Sequence, residues 1–266
     1  MAQSIAIASG KGGVGKTSIA VNLALVLRKL GGRVTLLDAD FGMANAHILL
    51  GENLRPQVDK ALLAEGPVQD AVTKTAQGIT LLSSGSASLD LLDLKTSDRL
   101  QLIRKVEALG EETDYLIVDT PAGASDATLA FVAAADRILL VVVGEPTSFM
   151  DAYTVVKAAH LEHGVRSFAV VVNMARDGQE AQRHFDQFLA IALRFLDVEL
   201  TYAGHLPMSL PMRRSVMTRN PLMANPGEAN SAEGRALRSI AQKLLASPAN
   251  QPSGIRYFLE SGTKEG

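Results

Sequence analysis

Apolar residues along the chain fall into two patterns. Short unbroken runs read as buried strands: residues 4–8, 33–38, 78–82, 115–119, 137–143, 167–173 and 202–207. Between them, apolar residues recur three or four positions apart, as on one face of a helix. Such spacing predicts helices over 18–30 (Ile19, Leu23, Val26, Leu27, Leu30) and over 97–109, with Asp98 as cap and Leu100, Ile103 and Val106 on one face. A third runs from the Pro146 turn, capped by Thr147 or Ser148, to residue 162. A fourth covers 182–195, with Phe185, Phe188, Leu189, Ala192 and Phe195 inward. The last covers 232–245, with Leu237, Ile240, Ala241 and Leu244 inward and Arg235, Arg238 and Lys243 outward. Strands alternating with helices predict an α/β fold, a mostly parallel sheet flanked by helices on both faces.

Residues 52–96 are less regular. Short helices are expected at 61–63 and 68–72, and a serine-glycine connector at 83–86. Residues 247–254 are a linker by composition. The chain therefore divides into a domain at 1–246, the linker, and a tail at 255–266. In the tail Ile255, Phe258 and Leu259 stand at i, i+3 and i+4, with Arg256 beside them. Burying these three against lipid contributes on the order of 5 kcal/mol before ordering costs, marginal for one copy and enough for two acting together.

Composition narrows the classes. The chain has 266 residues, 47% hydrophobic and 20% charged, which is globular. A net charge of −2 gives no global attraction to nucleic acid or anionic lipid. There is no cysteine, so disulfides, thiolate zinc sites and iron–sulfur clusters are excluded. No secretory leader is expected, and the longest apolar stretch, 129–143, contains Asp136 and Arg137 and is too short to span a bilayer. A cytoplasmic location follows from the use of ATP argued next.

Residues 10–17, Gly-Lys-Gly-Gly-Val-Gly-Lys-Thr, fit the G-x-x-x-x-G-K-[ST] phosphate-binding loop between a strand and a helix. Gly10, Gly12, Gly13 and Gly15 let the backbone of Lys11, Val14 and their neighbours turn successive N–H groups toward phosphate oxygens. The helix N-terminus opening at about Lys16 and Ser18 adds partial positive charge. Lys16 is expected on the β- and γ-phosphates and the Thr17 hydroxyl on Mg²⁺. Asp38 and Asp40 follow the second strand, where open α/β sheets bind ligands. A carboxylate there suits the in-line water of hydrolysis; capping of the next helix is the competing use of both. Asp119 ends an apolar strand and is expected at Mg²⁺, directly or through water. Asn173 ends another, and its amide offers a donor and acceptors to a base edge.

Lys11, directly after the first glycine, makes the loop resemble the deviant form of the MinD/ParA family of P-loop ATPases. The resemblance implies that Lys11 crosses a dimer interface to the partner's nucleotide, so that ATP drives homodimerisation. It places Asp40 at the attacking water and Asp38 near Mg²⁺ in switch I. It places a backbone N–H of Gly123, in Thr120-Pro121-Ala122-Gly123, as the γ-phosphate sensor of switch II, and Asn173 and the loop at Pro207 against adenine. Two departures stand out: His47 where aspartate is usual, read as surface or interface, and Met208 where aspartate is frequent. Arg213 and Arg214 are either base-stacking, partner-facing or solvated.

Residues 145–157, Glu-Pro-Thr-Ser-Phe-Met-Asp-Ala-Tyr-Thr-Val-Val-Lys, resemble the corresponding segment of the FlhG/FleN branch, the regulators of flagellar number and placement. That resemblance implies a slow, partner-stimulated, Mg²⁺-dependent ATPase switch. Its partners would be the GTPase FlhF, a FleQ-type transcription factor or flagellar switch components, and its tail would touch the inner membrane surface. Met1 stands just before the first strand, so the branch's FlhF-activating N-terminal extension is not expected. A MinD-type division-site ATPase and a ParA-type DNA partition ATPase are the alternatives. The net charge argues against direct DNA binding, although Arg213, Arg214, Arg219, Arg235 and Arg238 would form its patch.

Overall fold

The computed structural model describes residues 2–41, 44–54, 67–83, 96–251 and 254–258. The expected helix at 61–63 and most of the connector at 83–86 lie outside them. The strands are β1 (Gln3–Ala8), β2 (Val34–Asp38), β3 (Thr73–Lys74), β4 (Thr80–Ser83), β5 (Tyr115–Asp119), β6 (Arg137–Val143), β7 (Ser167–Ala175) and β8 (Glu199–Pro207). The α-helices are α1 (Lys16–Lys29), α2 (Ala46–Leu50), α3 (Thr96–Glu107), α4 (Asp126–Ala133), α5 (Pro146–His163), α6 (Gly178–Leu193), α7 (Leu210–Met217), α8 (Pro226–Ala229) and α9 (Ala232–Ala246). Residues 68–71 form a single 3₁₀ turn.

The sheet runs β3-β4-β2-β5-β1-β6-β7-β8. Its strands are parallel except β3 against β4. Both faces must be covered, because the central strands are apolar on both sides. Ile103 and Val106 of α3, with α4, α5 and α6, cover one face. Ile19, Leu23 and Leu27 of α1 and Leu237, Ile240 and Leu244 of α9 cover the other. β1 lies between β5 and β6, so the loop after β1 opens where the strand order reverses, the place such sheets bind ligands.

Two details differ from the periodicity. Phe195 was expected inward, yet α6 stops at Leu193, the turn breaks the helical phase, and Phe195 is 66% exposed under the Arg194 guanidinium. Leu196 takes the inward place. Helix α7 was not anticipated because Pro211 masks the pattern; the proline sits in its first turn, where it needs no N–H partner, and the Ser209 hydroxyl caps it by accepting from the Met212 N–H at 3.3 Å.

The described residues beyond α9 lie on the domain. Asn250 Oδ1 accepts from the N–H groups of Arg166 (3.1 Å) and Ser167 (2.9 Å), and its Nδ2 donates to the Ser167 carbonyl at 2.9 Å. Its own N–H donates to the Asp136 carbonyl at 2.7 Å. Tyr257 is fully buried, its hydroxyl donating to the Phe131 carbonyl at 3.4 Å, and Phe258 is buried against Gly110. This segment therefore crosses the N-terminal edge of β6 and β7, opposite the phosphate loop. Its packing differs from that of a free linker. Asn250→Ala removes three side-chain hydrogen bonds and is expected to cost about 2–3 kcal/mol, a Tm fall of about 4–12 °C. A melting curve that does not move would contradict the assignment of this segment to the fold.

Candidate functional site

The loop after β1 is shaped by backbone demands. Gly13 and Gly15 adopt φ of 77° and 86°, the left-handed region that favours glycine. A Cβ on Gly10 would collide with the backbone of Asp151 and Ala152 in α5. Asp151 and Ala152, within the 145–157 segment, are thus where α5 presses on the loop. Gly12, Gly13, Gly15, Lys16, Thr17, Ser18 and Asp40 line a cleft of about 730 Å³, joined by Lys11, Asn45, Pro121, Ala122, Val216 and Arg219. A second pocket of about 500 Å³ adjoins it, lined mainly by apolar groups, with Gly15, Ser18, Asn173, Pro207, Met208 and Arg213 on its wall. A cleft walled by a glycine loop, a lysine and a carboxylate, joined to a mainly apolar pocket, suits phosphates joined to a base.

Charge in the cleft is concentrated at strand ends that the sheet brings side by side. Asp38 pairs in register with Asp119, and β1 stands next to β5. Lys16 Nζ lies 3.0 Å from Asp119 Oδ1, an ion pair with side chains 8% and 0% exposed. Burial pushes the Asp119 carboxyl up; the Lys16 ammonium and the Thr17 hydroxyl beside it oppose this without cancelling it. Asp119 Oδ2 is buried with no hydrogen-bond partner. An orphaned carboxylate oxygen beside a threonine hydroxyl fits a hard divalent cation, so Thr17 and Asp119 are the residues that would hold Mg²⁺. Bound there, the ion would neutralise phosphate charge.

Asp38 is fully buried. Burial, with the nearby Asp119 charge, pushes its carboxyl up to about 7. Its oxygens accept from the N–H groups of Asn45 and Ala46, both at 2.9 Å, and of Asp40 at 3.3 Å. Asp38 thereby fixes the start of α2, the capping use weighed from sequence. Asp40 is half-buried and faces the cleft. The Gly123 N–H donates to the Ser9 carbonyl at 2.9 Å in this state, and the Thr120 hydroxyl donates to Ile7 at 3.0 Å. A γ-phosphate role for Gly123 therefore requires that N–H to leave Ser9. His47 is half-buried, its pKa pulled down by burial, and no cluster of metal-ligating side chains occurs among the described residues.

Sequence reasoning missed four partners. Lys11 Nζ pairs with Glu145 at 2.8 Å within one chain, side chains 43% and 58% exposed, and this contact raises the Lys11 pKa. Asn173 Nδ2 donates to the Val14 carbonyl at 2.7 Å. Val216 and Arg219 enter the cleft from α7 and the turn after it. The arginines were visible, but nothing in their spacing brought them to the loop.

A parallel sheet with a glycine-shaped anion loop at its switch point, a lysine at its centre and a carboxylate at the neighbouring strand end defines a P-loop nucleoside triphosphatase. The family described as ParA: NUBPL iron-transfer P-loop NTPase matches residues 1–245. The chain is 38% identical over 263 residues to the antiactivator FleN of Pseudomonas aeruginosa, covering 97% of this chain and 92% of that one. It is 31% identical over 219 residues to the flagellum site-determining protein YlxH of Helicobacter pylori, covering 82% and 74%. The MinC:MinD cell division protein complex of Aquifex aeolicus superposes with a TM-score of 0.75 at 25% identity over 95% of this chain and 100% of that one. The chain belongs to the ParA/MinD family of P-loop NTPases. It is an ATPase that uses ATP with Mg²⁺, and members of its family dimerise and interact with partner proteins.

Two outcomes follow from the charges. Lys16→Met leaves Asp119 buried without its cation, which is expected to cost the nucleotide-free protein about 3–5 kcal/mol. Protonation of Asp119 relieves that cost, so the loss measured by thermal melts should shrink as pH falls; a loss independent of pH would contradict the ion-pair account. Glu145→Gln frees Lys11 and should lower the ATP concentration needed for dimerisation by a few-fold at most, because the pair is exposed. A rise in that concentration, followed by light scattering, would give Glu145 the opposite role.

Proposed function

We propose that this ATPase is a dimerising switch that sets flagellar number and placement. The likeness over 97% of the chain to an antiactivator, and over 82% to a flagellum site-determining protein, carries this reading. The signature lysine at position 11 supports the dimer. In the cycle, ATP fills the cleft, Lys11 leaves Glu145 and crosses to the partner's phosphates, and Asn45, Ala46 and Asp40, all bonded to Asp38, move as one piece. Asp40 orients the attacking water. Hydrolysis relaxes the switch segments and releases the dimer.

The antiactivator relative makes a transcriptional activator of the FleQ type the first partner to test, with FlhF and flagellar switch components next. No helix among the described residues is long and apolar enough to cross a membrane. Peripheral attachment through Ile255, Phe258 and Leu259 would have to draw Phe258 and its neighbour Tyr257 from buried seats. Unseating large apolar side chains costs about 1.5–3 kcal/mol each, comparable to the whole gain on lipid. That balance favours a cycle run on a protein partner, with membrane contact as its secondary step.

Asp40→Ala is expected to bind ATP, stop hydrolysing it and persist as a dimer by size-exclusion chromatography with light scattering. Cells producing that variant should carry an altered number of flagella per cell, whereas cells producing an ATP-binding-defective Lys16→Ala protein should resemble cells lacking the protein. An Asp40→Ala protein that stays monomeric in ATP sinks the switch assignment. A dimer without any flagellar phenotype sinks the flagellar one.

A further inference from the structure

Asn173 lines the second pocket beside Gly15, which lines both. The residue after Asn173, Met174, has a φ of 59°, in the left-handed region that side chains other than glycine seldom adopt. The kink falls where the pairing of β7 with β8 is interrupted, between Val172 and Ala175. It accompanies an Asn173 side chain turned against the back of the phosphate loop. There Nδ2 donates to the Val14 carbonyl at 2.7 Å, with Asn173 only 7% and Val14 only 3% exposed. The loop comes so close that a Cβ on Gly15, itself at φ 86°, would lie 2.5 Å from Nδ2. Asn173 meanwhile remains on the wall of the second, mainly apolar pocket.

The chemistry gives this contact a purpose. A loop that aims its N–H groups at an anion must aim carbonyls away from it, and a buried carbonyl needs a donor. Val14 lies in the loop between β1 and α1, outside any helix or strand ladder that would supply one. The Asn173 amide supplies it and still has an acceptor oxygen and a second N–H for a ligand. A base seated in the second pocket and phosphates seated in the loop would then be held through one side chain.

We propose that Asn173 is a positioning residue of the phosphate loop: its bond to the Val14 carbonyl holds the loop in its anion-binding shape and couples capture of the base to capture of the phosphates. This rests on the reading of the cleft as a nucleotide site. It goes beyond a base contact, because it assigns Asn173 a role toward phosphates that carry no base. Coupling of this kind is a binding free energy shared between two subsites.

The test is isothermal titration calorimetry of the full chain with Mg²⁺-ATP and, separately, with Mg²⁺-tripolyphosphate. Asn173→Asp keeps the size and an acceptor but replaces the donor by a carboxylate oxygen. It is expected to weaken both ligands by about ten-fold or more, the range for a lost buried hydrogen bond. Burial at this position raises a carboxyl, and once protonated it can again donate to Val14, so the deficit relative to wild type should narrow as pH falls from about 8 to about 5.5. A destabilised but otherwise correct site would not show that narrowing. Should Asn173→Asp fail to fold, Asn173→Ser, which shortens the donor and adds no charge, carries the two-ligand comparison. Loss toward ATP with tripolyphosphate binding unchanged would confine Asn173 to the base and overturn the proposal. Equal affinity of variant and wild type for both ligands would overturn it too. A wild-type protein that binds neither ligand would instead bring down the nucleotide reading, and this inference with it.

Discussion

A loop that turns its amides outward toward one anion has to be held from behind. Three neighbours of residues 10–17 answer that constraint. Asn173 holds the Val14 carbonyl, Gly123 donates to Ser9 at the loop's entrance, and the backbone of α5 presses where Gly10 has no side chain. Helix α1 then starts at Lys16 with its free N–H groups at the same place. The central position of β1 in the sheet brings β5, β6 and β7 within reach of one loop. Loop shape is therefore a property of the whole sheet, and residues distant in sequence are needed to keep it.

The second constraint is electrostatic. Two carboxylates, Asp38 and Asp119, end adjacent strands in full burial. One is quieted by N–H groups at the start of α2 and the other by Lys16. Neither arrangement saturates both groups, since Asp119 keeps an unpartnered oxygen. A divalent cation held by Thr17 and Asp119 would supply the missing positive charge, and a bound phosphate chain would give Lys16 a second anion. The segments proposed as switches, bonded to Asp38 and to Ser9, would feel that exchange directly. In the proposed cycle Lys11 would likewise exchange Glu145 of its own chain for the phosphates of a partner.

Much of this was legible from the chain because the motif is local. Residues 10–17 name their own chemistry, and the strand ending at Asp119 is a run of apolar residues closed by a carboxylate. The helical faces at Ile103 and Val106, and at Leu237, Ile240 and Leu244, pack as their spacing predicted. What stayed hidden depends on contacts across the fold. The Lys11–Glu145 and Asn173–Val14 pairs join residues 134 and 159 positions apart, and no periodicity records such a distance. Asp38 was open to two uses, and the geometry assigns its oxygens to the start of α2. Asn250 and Tyr257 looked like linker and tail because proline, serine and glycine surround them, while their burial depends on partners at Ser167 and Phe131.

The central claim is that Lys11 serves the partner's nucleotide rather than its own. It is tested most directly by introducing Lys11→Ala into the Asp40→Ala protein, then measuring bound ATP and molar mass on the same sample. The account predicts ATP retained in the cleft and a mass of one 28.2 kDa chain. A stable dimer with Lys11 absent would contradict it.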